Sequence, residues 1–137
     1  MAKTAIVYAS KFGCTRGASD YIAERLGADV FNLGAQDRID LSGYDRVLIG
    51  TGIYAGKPNK KVTEFIKNNK EQMEGVTTSL FICCMYDGTK GEEQLKRVSE
   101  DYGIQDAVFF PGQSKRIKAR DSESVDSYID ALEDDSG

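Results

Sequence analysis

Short apolar runs alternate along this chain with stretches whose apolar residues recur every three or four positions. Thr4-Ala5-Ile6-Val7-Tyr8 is β-prone throughout, as a strand buried on both faces requires, and predicts a first strand at about residues 3–9. Ala18, Tyr21, Ile22 and Leu26 then fall at helical spacing, predicting a helix over about 14–26 that Gly27 ends. Asp29 to Leu33 reads as a second strand, Gly34 to Tyr44 as a polar connection, and Asp45 to Thr51, with Val47, Leu48 and Ile49, as a third, buried strand. Pro58 sits where a first helical turn tolerates proline, and Val62, Phe65 and Ile66 mark the inner face of a helix to about Asn69. Thr78 to Cys84 is a fourth strand, followed by a helix over Glu92 to Gly103 with Leu95, Val98 and Tyr102 on one stripe. Ala107 to Phe110 is a fifth strand, and Val125, Tyr128, Ile129 and Leu132 face inward from a last helix that frays into Asp134-Asp135-Ser136-Gly137.

Five strands alternating with four helices predict an α/β fold, a doubly wound parallel sheet covered on both faces and joined by right-handed crossovers. The 137 residues suit a single domain spanning 1–137, able to bury about two-thirds of its unfolded surface. Ligands of such sheets bind outside the carboxyl ends of the strands, where the chain order reverses. Three loops leave those ends with informative sequence, at 10–15, 52–56 and 85–89, and they converge if the strand order is 2-1-3-4-5.

Charge narrows the function classes. The balance is acidic, 18 Lys+Arg against 22 Asp+Glu with a pI near 4.9, which argues against nucleic acid or an anionic membrane as the main partner. Residues 1–70 carry 11 basic and 7 acidic side chains, whereas residues 71–137 carry 7 and 15. The longest strongly apolar run, Leu80 to Tyr86, is too short to span a bilayer and the N-terminus lacks a signal-peptide pattern, so a cytoplasmic protein without stable membrane insertion is expected. Three cysteines, two of them adjacent at 83 and 84, suit reduced thiols rather than a disulfide framework. The absence of histidine argues against a zinc site and excludes His-dependent hydrolysis.

The most informative stretch is Tyr8-Ala9-Ser10-Lys11-Phe12-Gly13-Cys14-Thr15-Arg16, which leaves the first strand and enters the first helix. A strand, a hydroxyl- and glycine-bearing turn and a helix N-terminus gather free backbone N–H groups and the positive end of a helix dipole at one point, where anions bind. Ser10 and Thr15 supply hydroxyl donors and Gly13 lets the backbone come close. The same residue types also make ordinary turns and N-caps.

Taken together, the loops resemble those of the flavodoxin family. Ser10-Lys11-Phe12-Gly13-Cys14-Thr15 fits that family's (S/T)-x-x-G-x-T phosphate loop, and the resemblance runs from Lys3 to Leu132. It implies non-covalent FMN at the crevice between the first and third strands, with the terminal phosphate anchored by Ser10, Gly13, Cys14 and Thr15, and Lys11 and Phe12 among the cofactor-binding residues of the same loop. A second match, Ile49-Gly50-Thr51-Gly52-Ile53-Tyr54-Ala55-Gly56, resembles the loop that lays an aromatic ring on the isoalloxazine, here Tyr54. Such stacking disfavours the reduced, anionic ring and lowers its potential. In the third loop Tyr86 is placed to cover the other ring face, and the backbones of Met85, Asp87 and Gly88 to meet the pyrimidine edge.

The implied function is electron transfer between cytosolic redox partners, a reductase and an acceptor, by a monomer or weak dimer. Two departures qualify the resemblance. Many electron-transfer flavodoxins have glycine directly after the stacking aromatic. Ala55 stands there instead, and alanine resists the positive φ of a flavin-responsive peptide flip. Lys57, Lys60 and Lys61 follow directly where that family usually carries carboxylates, favouring an acidic partner or a carboxylate-bearing substrate. Both features are similar to a sub-branch, the menaquinone-dependent protoporphyrinogen oxidases, whose pattern G-x-S-I-x-x-G differs here by Gly52 in place of serine. The alternative function is therefore an FMN enzyme of the protoporphyrinogen oxidase or quinone reductase type, although those enzymes have a longer segment before the last strand. A third reading is a regulatory or scaffolding module without flavin.

Overall fold

A computed structural model describes residues 3–9, 14–36, 38–54, 57–84, 88–111 and 119–136. The elements are β1 (Thr4–Ala9), α1 (Cys14–Leu26), β2 (Asp29–Asn32), β3 (Arg46–Tyr54), β4 (Lys57–Pro58), α2 (Lys60–Asn68), α3 (Lys70–Glu74), β5 (Thr77–Cys84), α4 (Gly88–Tyr102), β6 (Ala107–Pro111) and α5 (Ala119–Ser136). Five strands pair in parallel in the order β2-β1-β3-β5-β6, the expected 2-1-3-4-5 once the two-residue β4 is set aside. That order reverses between β1 and β3, where the expected crevice falls.

The side-chain period of two explains why one sheet supports two cores. From β1, β3 and β5, the residues Ala5, Val7, Val47, Ile49, Leu80 and Ile82 enter one cluster, closed by Val62, Phe65 and Ile66 of α2 and Val98 of α4. Their neighbours Ile6, Leu48, Phe81 and Cys83 enter the other, closed by Ala18 and Ile22 of α1 and Val125, Ile129 and Leu132 of α5. All six residues of β1 are buried, so its near-continuous apolar sequence matches a central parallel strand.

Two buried polar links fix α5 against the sheet. The Arg46 guanidinium donates to Thr4 Oγ1 at 3.3 Å and to the carbonyl of Leu132 at 2.8 Å. The hydroxyls of Tyr128 and Ser79 share a hydrogen bond of 2.5 Å. Tyr128 also belongs to an aromatic trio with Phe81 and Phe110, with centroids 5.6 to 6.2 Å apart. Phe81 is seated where Gly50 has no side chain: a Cβ at that position would lie 2.4 Å from the ring's Cζ.

The first helix ends as its sequence indicates. Gly27 takes the left-handed conformation at φ 67°, and Ala28 N–H bonds back to the carbonyl of Ala23.

Four local features differ from the sequence expectation. α4 begins at Gly88 rather than at Glu92, so Gly88 and Thr89 of the third loop are helical. β3 continues to Tyr54, because Ile53 and Tyr54 find partners in Pro58 and Lys57. Pro58 accordingly lies in β4, and Asn59 caps α2 through its side chain, which accepts from Lys61 N–H at 2.9 Å. The extra helix α3 (KEQME) lacks an apolar stripe that would announce it. It is held by Gln72, whose side chain accepts from Leu41 N–H at 3.0 Å and donates to the carbonyl of Ile39 at 3.2 Å.

Candidate functional site

Strand register brings the carboxyl ends of the central strands side by side. Ala9 pairs with Thr51, and Gly52 pairs with Cys83. The helices that follow β1 and β5 begin at Cys14 and Gly88, so the three informative loops leave one edge of the sheet. Of the expected site residues, Ser10, Lys11, Phe12, Gly13, Ala55, Gly56, Met85, Tyr86 and Asp87 lie outside the described residues. For Cys14, Tyr54 and Gly88 only the backbone is described.

Of the expected phosphate-loop residues, Thr15 is the one whose side chain is described. It lies in the first turn of α1 and is 2% exposed, on a helix face it shares with Ala18, Ser19 and Ile22. A Cβ on Gly52 would sit 3.2 Å from Thr15 Oγ1, so the missing side chain lets the end of β3 lie against the start of α1. The first turn of α1 carries no acidic residue, which leaves the positive end of the helix dipole uncompensated by its own side chains. A buried hydroxyl, a close glycine backbone and that helix N-terminus form a donor set suited to an anion.

Thr51 and Ile53 support this edge from beneath. Thr51 is fully buried, its hydroxyl donating to the carbonyl of Gly52 at 3.0 Å and accepting from Asn59 N–H at 2.9 Å. It thus closes the base of the excursion from Gly52 to Pro58 and leaves little hydrogen-bonding capacity for a ligand. Ile53 packs on the cluster covered by α2 and α4. Any ligand contact from Thr51 therefore falls to its backbone.

Two residues beyond the sequence expectation also lie here. Ser19, one turn after Thr15, is completely buried, and its hydroxyl has no hydrogen-bond partner among the described residues. Its i, i+4 spacing from Thr15 was visible in the sequence, but serine alone does not announce a buried face. Tyr8, near the end of β1, is buried, and its phenol is held protonated above the usual tyrosine range, mainly by desolvation and secondarily by Asp20, with Arg16 opposing. Arg16 itself is exposed and 3.9 Å from Asp20, so it makes a surface pair.

A cleft of about 630 Å³ runs along α2, from Lys61 to the Asn69–Gln72 segment, between that helix and the β2–β3 connection. Its floor includes Leu33, Ile39 and Phe65, and Arg38, Lys61 and Glu64 stand on its walls. Among the described residues no helix is long and apolar enough to cross a membrane.

Known proteins carry the same architecture. The flavodoxin domain family model matches residues 5–119. Protoporphyrinogen IX dehydrogenase [quinone] of Escherichia coli K12 is 29% identical over 84 residues, covering 58% of this chain, and the chain spans 46% of that relative's length. Oxidised flavodoxin 2 of Bacillus cereus superposes with a TM-score of 0.74 at 18% identity, over 98% of this chain and 99% of that one. A Lactobacillus acidophilus flavoprotein in complex with FMN superposes with a TM-score of 0.62 at 17% identity, over 80% and 91% of the two chains. These structures share the fold, and the match over residues 5–119 carries the assignment: the chain belongs to the flavodoxin domain family.

Proposed function

We propose that the chain binds FMN non-covalently at the carboxyl edge of its sheet and, as a single cytoplasmic domain, carries electrons between a reductase and an acceptor protein. The observation behind this reading is the approach of Gly52 to Thr15 at an acid-free helix N-terminus, an arrangement suited to a phosphate dianion. Here Ser10, Gly13, Cys14 and Thr15 would hold the phosphate, with Lys11 and Phe12 completing the cofactor-binding loop. Tyr54 and Tyr86 would cover the ring, and the Met85, Asp87 and Gly88 backbones would meet its pyrimidine edge. FMN would supply reversible electron uptake and release. The protein's own work is to bind, orient and shield the ring, and no side chain need serve as acid or base. Membership of the flavodoxin family and the likeness to a flavoprotein in complex with FMN support the choice of cofactor.

The 84-residue likeness to a protoporphyrinogen dehydrogenase favours a second reading, an FMN enzyme that oxidises a porphyrinogen or reduces a quinone-like acceptor. An anaerobic reductive titration of the FMN-loaded protein separates the two. Two resolved one-electron steps without substrate turnover support electron transfer. A single two-electron step followed by turnover of a porphyrinogen or quinone supports the enzyme, and a protein that takes up no flavin excludes both.

A further inference from the structure

The lysines beyond β3 are placed against the usual electrostatics of a helix. Lys60 and Lys61 occupy the first turn of α2, where the helix dipole is positive and where no acidic residue offsets them. Lys57 precedes them and pairs across the strand with Tyr54. All three are exposed, as is Arg38 on the neighbouring cleft wall. Among the described residues the ion pairs are Arg16–Asp20 and Arg25–Asp126, and none involves these four cations. Residues 57–70 carry five lysines and a single carboxylate, Glu64, in a protein whose net charge is −4. A concentration of unpaired positive charge that opposes both the helix dipole and the overall sign contributes nothing evident to folding.

We infer that Arg38, Lys57, Lys60 and Lys61, together with the cleft between α2 and the β2–β3 connection, form the docking surface for an acidic redox partner protein. The inference rests on the FMN reading, because it is Tyr54, the residue placed over the flavin, that pairs with Lys57. The cleft, about 630 Å³ with an apolar floor of Leu33, Ile39 and Phe65, provides a seat for a protruding element of the partner, and the lysines guide approach toward the flavin edge. Charge complementarity of this kind raises the encounter rate and selects partners by sign, and it weakens as salt shortens the screening length from about 30 Å at 0.01 M to about 3 Å at 1 M.

Small redox reagents of opposite charge read the local sign without the natural partner. The FMN-loaded protein is reduced anaerobically and reoxidised in a stopped-flow instrument with ferricyanide, an anion, or hexaammineruthenium(III), a cation. The docking surface predicts that the ferricyanide rate falls at least about threefold across that salt range, while the ruthenium rate rises or stays level. Charge reversal by Lys57→Glu, Lys60→Glu and Lys61→Glu together removes or inverts the ferricyanide trend while FMN affinity is retained. A ferricyanide rate that climbs with salt in the unaltered protein, as its net charge of −4 would dictate, overturns the inference, as does a triple variant with an unchanged trend. Failure of the FMN reading shows separately, as absence of flavin uptake before any rate is measured. In that event a fluorescent glutamate decapeptide is titrated at low salt: binding lost in the triple variant supports the surface, and equal or absent binding overturns it.

Discussion

Thr15 Oγ1 lies 3.2 Å from the point that a Cβ on Gly52 would occupy. The contact joins the first turn of α1 to the end of β3, and it makes the two positions a test of the anion site. Thr15→Val keeps the shape of the buried side chain and removes its hydroxyl. FMN affinity should fall about fivefold, the equivalent of about 1 kcal/mol for one lost hydrogen bond. Gly52→Ala should also weaken FMN by pushing against that hydroxyl. Equal dissociation constants for Thr15→Val and the unaltered protein, measured by flavin fluorescence, would remove Thr15 from the site.

A second glycine tests packing rather than binding. Gly50→Ala places a methyl group 2.4 Å from Cζ of the fully buried Phe81, which is itself packed against Phe110 and Tyr128. Overpacking of this kind costs about 1–3 kcal/mol. Urea unfolding should show the loss, and Phe81→Leu in the Gly50→Ala background should recover part of it. An unchanged midpoint for Gly50→Ala would mean that the ring moves freely aside.

Thr51→Val tests whether the base of the 52–58 excursion is closed by one hydroxyl. The change leaves Asn59 N–H without its acceptor at the N-cap of α2. The expected destabilisation is about 1–3 kcal/mol in urea unfolding, and the start of α2 should lose amide-exchange protection. Full protection in the variant would show that the backbone alone sets the cap.

Alkaline pH should unfold the protein through its tyrosines. Tyr44 is raised to about 12, first by its hydrogen bond to Asp29 and then by burial. Tyr128 is raised by burial, which outweighs the Ser79 hydrogen bond, and Tyr102 is raised mainly by burial. A phenol held protonated in the folded state contributes its full stability below the unfolded pKa of about 10 and loses it as pH rises through the folded value. The urea midpoint should therefore decline between about pH 10 and about pH 12. Tyr44→Phe should flatten part of that decline, and a midpoint that stays level over this range would contradict the assignment.

The fold was legible in the sequence because the parallel strands are near-continuous apolar runs and the helices carry regular stripes. Thr4 to Tyr8 and Val62, Phe65 and Ile66 needed no tertiary information. The features that escaped depend on partners distant in sequence. β3 extends to Tyr54 because Lys57 and Pro58 fold back on it, and α3 survives because the side chain of Gln72 reaches Ile39 and Leu41. Of the candidate site, the placement of Thr15 and Gly52 at the carboxyl edge of the sheet was legible through loop composition. The buried role of Thr51 was not, since a threonine at a strand end looks the same whether its hydroxyl faces a ligand or Asn59.

The phosphate cradle at Thr15 and Gly52 is tested most directly by comparing FMN with riboflavin, which has the same ring and no phosphate. Titrated into the flavin-free protein with fluorescence as the signal, FMN should bind stoichiometrically at micromolar concentration, with its emission quenched. Riboflavin should bind at least about tenfold more weakly, a difference of about 1.4 kcal/mol. Equal affinity for the two, or binding of neither, would contradict the assignment of this edge of the sheet to a flavin phosphate.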